Sequence, residues 1–152
     1  MKKVYQNKTF FNTIETTLKA NKKVAFTVKG NSMKPFFKDG KTEVYLKIKE
    51  DYKPKDICLF QKNKMYFLHR LIKIKSNRYF FRGDNQYKFE IINKEAIIAY
   101  VYQYKNNDHI ISTNNLNYKI KINCFLFFKQ IKLMLRFFYL GVKNATGISK
   151  KH

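Results

Sequence analysis

The hydrophobic positions of this chain change period twice. Between Thr9 and Ala20, Phe10, Phe11, Ile14 and Leu18 recur at helical spacing, with Thr13 and Glu15 to Thr17 on the other side, and predict a short helix. From Val24 the period falls to two. Val24, Phe26 and Val28 alternate with Ala25, Thr27 and Lys29 and predict a half-buried strand ending at Gly30, and Val44, Leu46 and Ile48 alternate in the same way. Ile57 to Gln61 and Met65 to Ile74 are strand-like runs joined by Lys62-Asn63-Lys64. Tyr79 to Arg82 follows a Ser76-Asn77-Arg78 turn, and Ile97 to Tyr104 and Ile110-Ile111 flank another at Lys105-Asn106-Asn107-Asp108. Closely spaced strands with polar turns predict a mainly β domain, antiparallel and coiled or barrel-like, over residues 24–113. No internal repeat interrupts it.

The last third changes character. Asn114-Asn115-Leu116-Asn117 reads as a linker, after which Ile122 to Val142 is strongly apolar, with Lys129, Lys132 and Arg136 on one narrow stripe of a helix. Three cations make a membrane-crossing helix costly. Two placements stay open: a helix in the membrane interface with its basic stripe toward anionic headgroups, or a helix packed on the β domain with its cations in water. Asn144 to His152 reads as a frayed tail. The expected organisation is an N-terminal helical segment over 1–23, the β domain over 24–113, and a basic amphipathic helix and tail over 114–152.

A length of 152 residues fits one domain, and 45% hydrophobic residues suffice for a real core. The net charge of +22 favours anionic partners, among them an anionic membrane surface met through residues 122–143. Only four of the cations are Arg, the residue that specific nucleic-acid readers use for bidentate base contacts, so nucleic acid is not the expected partner. Cys58 and Cys124 lie far apart in apolar runs and read as reduced core residues; neither a metal site nor a cofactor is expected. Lys2 and Lys3 are followed by no apolar stretch, so neither a signal peptide nor an N-terminal span is expected. The chain reads as cytoplasmic, or peripheral on the inner membrane face.

The segment Gly30-Asn31-Ser32-Met33-Lys34-Pro35 follows the first strand. A Ser just after a strand and a Gly can present its hydroxyl beside backbone N–H groups, which builds a nucleophile and an oxyanion site together. Pro35 restricts Lys34 and stiffens the loop. Lys53-Pro54-Lys55-Asp56, then Tyr66-Phe67-Leu68-His69-Arg70-Leu71-Ile72, then Phe80-Phe81-Arg82-Gly83-Asp84-Asn85 follow in order. Over roughly residues 24–104 this series resembles the superfamily of type I signal peptidases and LexA-type repressors. Those proteins carry a Gly-x-Ser-Met-x-Pro box, a Gly-Asp before a strand, a basic residue heading an Arg-Val/Leu-Ile run, and a Gly-Asp-Asn box.

The resemblance implies Ser32 as nucleophile and His69 as general base, in the variant that uses His where others use Lys and here without an N-terminal membrane anchor. It implies Asp84 as the Asp of the last box and Glu90 as a further acidic residue after it. It also implies an oxyanion loop around Gly30, Met33 and Pro35, and small residues at the bond cleaved. Gly30 stands where many signal peptidases have a hydroxyl residue, and Lys55 replaces the usual Gly before Asp56, which itself reads as a turn-holding residue. The chemistry agrees: a neutral imidazole takes a Ser proton near neutral pH, and a carboxylate orients the ring. Sequence leaves Asp84 and Glu90 as alternatives for that carboxylate.

The expected function is therefore a serine endopeptidase acting on a peptide or protein precursor. Two other readings compete. A self-cleaving repressor needs a helix-turn-helix that the roughly 23 residues before the β domain are too few to supply, and no Ala-Gly or Cys-Gly pair is present to be cut. A catalytically silent basic module would bind anionic membrane or nucleic acid through charge alone. His109 and His152 have no catalytic company. Tyr66, Phe67, Tyr79 and Phe81 are core residues first and walls of a peptide cleft second.

Overall fold

A computed structural model describes residues 8–20 and 22–145. The N-terminal lysines and the tail from 146 onward, with His152, lie outside the described residues. The chain divides into two compact units, residues 1–115 and 116–152.

The first unit opens with α1 (Lys8–Lys19), which buries Phe11, Ile14 and Leu18 at the i, i+3, i+7 spacing of one helical face. The hydroxyls of Thr13, Thr16 and Thr17 donate back to the carbonyls four residues earlier, so their polar groups are satisfied within the helix. Eight strands follow: β1 (Val24–Thr27), β2 (Thr42–Lys47), β3 (Ile57–Lys62), β4 (Met65–Lys75), β5 (Arg78–Arg82), β6 (Glu90–Ile92), β7 (Ile97–Asn106) and β8 (His109–Ser112). All pair antiparallel in one sheet of order β1-β2-β7-β3-β4-β5-β6, with β8 added to β7. Register shifts at Tyr45/Leu46, Leu59/Phe60 and Leu71/Lys73 insert extra residues, and such bulges sharpen the twist. The sheet curls into a half-barrel.

The hairpins at β3–β4 and β4–β5 close through two-residue turns. Asn63 and Lys64, and then Ser76 and Asn77, all have positive φ, the geometry that matches strand twist. The three-residue turns expected from sequence are thus one residue shorter. A buried cluster of Tyr52, Cys58, Phe60, Leu71, Tyr79, Phe81, Ile92 and Ile97 forms the core over β3 to β7. Burial pushes the Cys58 thiol up, and nearby Asp56 adds to it.

Three short features were not visible in the sequence pattern. Strand β6 and the 3-10 turn Lys94–Ala96 span three residues each, too few to show a period. The stretch read as a linker at Leu116-Asn117 belongs to the second unit's helix, α2 (Leu116–Ala145), which also takes in Asn144.

Candidate active site

The Ser32 loop leaves β1 through a turn that only certain residues can make. Gly30 sits at φ +97°, a region L side chains rarely adopt, and its N–H donates to Asp39 Oδ1 at 2.8 Å. Met33, Phe36 and Phe37 are buried and anchor the loop, and the N–H of Phe37 donates to the Met33 carbonyl. The Lys34–Pro35 bond is cis. Ser32 stays half-buried above these anchors.

The loop is also held from across the sheet. The N–H of Asn85 donates to the Ser32 carbonyl at 2.7 Å, and a Cβ built on Gly83 would stand 2.7 Å from that same oxygen. Glycine at 83 therefore has a steric cause: the serine backbone occupies the space a side chain would need. Asp84, between these two residues, is 4% exposed and meets Arg70 in a bidentate pair, Nε to Oδ1 at 2.8 Å and Nη2 to Oδ2 at 2.6 Å. Arg70 is fully buried in β4 and its Nη1 donates to the Lys55 carbonyl. Burial pushes the Arg82 guanidinium down, and the Asp84 charge pushes it back up. The Gly83-Asp84-Asn85 box is thus a clamp on the serine loop, anchored by an arginine on the neighbouring strand.

His69 lies one residue before Arg70 on β4, opposite Cys58 of β3. It is buried, with Phe60 and Phe67 against its ring at centroid distances of 6.0 and 5.8 Å. Ser32, His69 and Glu90 line one cavity of about 700 Å³, with Gly30, Met33 and Asn85 also on its wall. Phe10 and Phe11 of α1, Phe26 of β1, and Tyr66 and Phe67 of β4 supply an aromatic wall; Phe11 stacks on Tyr66 at 4.0 Å.

The structure separates the two carboxylates. Glu90 is on the cavity wall and pairs with Lys62 at 2.6 Å, whereas both oxygens of Asp84 are engaged by Arg70. Nδ1 of His69 is buried, and neither carboxylate accepts a hydrogen bond from it. Pro35 is exposed and off the cavity wall. Tyr66 and Phe67 do border the cavity, but Tyr79 and Phe81 are in the core cluster instead, because β5 turns them to the packed face.

Lys55 has φ +83°, which accounts for the glycine that the resembling proteins carry there. Asp56 holds its turn by accepting from the Lys53 N–H and by pairing with Lys49. Sequence reasoning missed the roles of Arg70 and Lys62. The signal for Arg70 was present: an arginine inside an apolar strand needs a buried acid, and Asp84 is the acid of the next box.

No curated protein matches this chain closely enough to be read as a relative. The family model described as Peptidase S24-like matches residues 2–102, which takes in α1, the Ser32 loop, the His69 strand and the Gly83-Asp84-Asn85 clamp. With two thirds of its length covered by that model and a half-barrel that assembles the same boxes, the chain belongs to the Peptidase S24-like family.

Proposed function

We propose that this chain is a serine endopeptidase with Ser32 as nucleophile, His69 as general base and Glu90 as the carboxylate that supports the imidazolium. The observation that carries the reading is that Ser32, His69 and Glu90 line a single cavity. Strand β1 ends the sheet order, so one of its edges pairs with no strand among the described residues, and Thr27 at its end and Lys29 just beyond it border the cavity. A peptide adding itself as a strand along β1 would bring its carbonyl to the Ser32 loop.

The steps follow from the groups present. The imidazole of His69 accepts the Ser32 hydroxyl proton as Oγ bonds to the carbonyl carbon, giving a tetrahedral oxyanion that backbone N–H groups of the Ser32 loop receive. The imidazolium then protonates the departing amine, leaving an acyl-serine. Water, deprotonated by the same imidazole, attacks the acyl carbon, and the proton returns to Ser32 as the acid product leaves. Glu90 belongs in this scheme because Asp84 is committed to Arg70; its negative charge on the cavity wall favours the imidazolium.

A mixed-sequence peptide library incubated with the protein and analysed by mass spectrometry tests this. Cleavage by the wild type and none by Ser32→Ala supports it; identical cleavage patterns from both proteins refute it.

A further inference from the structure

Helix α2 is a 30-residue helix without a single Asp or Glu. At 3.6 residues per turn, Lys121, Lys129, Lys132 and Arg136 fall within an arc of about 80°. Ile120, Phe127, Phe128, Met134, Leu135 and Phe138 fall within a separate arc of about 120° that holds no charged residue. These six side chains are exposed, Phe138 by 74% and the least exposed, Ile120, by 53%. A continuous apolar face of this extent on a helix is uncommon without something to cover it.

We infer that α2 binds the surface of an anionic lipid bilayer, with its Phe- and Met-rich face in the acyl boundary and its cations at the headgroups. Four properties of the helix select this occupant. The helix carries no side-chain carboxylate, in a chain of net charge +22, so nothing on it repels lipid phosphates. Nucleic acid would use the cations and leave the aromatic face in water. A second copy of α2 would cover a two-position seam such as Phe127, Met134 and Phe138, and leave Phe128 and Leu135 wet. No helix among the described residues is long and apolar enough to cross a membrane, so lying in the interface is the arrangement that buries this face. The inference does not depend on the Ser32–His69 chemistry.

The test uses the full chain. Cys124 is exposed and Cys58 is fully buried, so an environment-sensitive fluorophore added to the native protein reports from α2. Emission should rise on titration with phosphatidylcholine vesicles that contain phosphatidylglycerol, and far less with phosphatidylcholine alone. Affinity should fall roughly twenty-five-fold in Lys132→Gln/Arg136→Gln, at about five-fold per cation. It should fall on the order of a hundred-fold in Phe127→Ser/Phe138→Ser, whose side chains are both exposed, with unchanged circular dichroism. Ser32→Ala should bind as the wild type does. Equal affinity for the two vesicle types, no loss in the Phe variant, binding only to an oligonucleotide, or dimerisation without vesicle binding would each overturn the inference.

Discussion

The backbone N–H of Asn85 donates to the carbonyl of Ser32 at 2.7 Å, so the turn after β5 fixes the loop after β1. These residues are far apart in sequence, and their bond makes the Gly-Asp-Asn box part of the nucleophile's support.

Gly83→Ala places a methyl group where the Ser32 carbonyl stands, so that carbonyl must move and the Gln86 side chain must give way as well. Overpacking of this kind costs about 1–3 kcal/mol. The larger effect is on reaction rate: a serine displaced by a fraction of its reach to the base should acylate on the order of a hundred-fold more slowly. Urea denaturation alongside the rate of phosphonate labelling separates the two.

Asp84→Asn leaves Arg70 buried with its charge uncompensated. The expected cost is about 3–5 kcal/mol by denaturant titration. Replacing the pair together, as Arg70→Met/Asp84→Leu, should recover most of that stability, because an apolar pair of similar volume often matches a buried ion pair. It should not recover the labelling rate if the clamp positions Ser32.

Lys55→Gly should stabilise the protein by about 0.5–1 kcal/mol. Its φ of +83° cannot relax, since its N–H is bound to the Leu71 carbonyl and its own carbonyl to Arg70. A shift of the urea midpoint upward with unchanged slope is the expected result.

Glu90→Gln separates the two candidate carboxylates. Its pair with Lys62 is partly exposed and should be worth less than about 1 kcal/mol. Labelling should nonetheless slow at least about tenfold, because the developing imidazolium loses an anion from the wall of its cavity. An unchanged labelling rate would return Glu90 to a surface role.

Much of this was legible in the sequence because the residues concerned are governed by local rules. Period-two alternation marked β1 and β2, two strand-like runs around a polar turn marked the β3–β4 hairpin, and helical spacing marked α1. The order of four short boxes pointed to Ser32, His69, Asp84 and Glu90. What sequence left open depends on which strand neighbours which. Asp84 lies in the last box and Glu90 just after it, and what separates their roles is that the fold sets Arg70 against one and the cavity against the other. Tyr79 and Tyr66 are equally aromatic, yet the sheet's curl puts one in the core and one at the cleft. Three-residue β6 carries no period at all, and only its pairing with β5 makes it a strand.

Covalent labelling with a serine-directed phosphonate, read by intact-protein mass and peptide mapping, tests the central claim most directly. The account predicts one adduct, on Ser32, absent in Ser32→Ala and slowed by about a thousandfold or more in His69→Ala. An adduct that maps elsewhere, or a labelling rate unchanged in either variant, would contradict it.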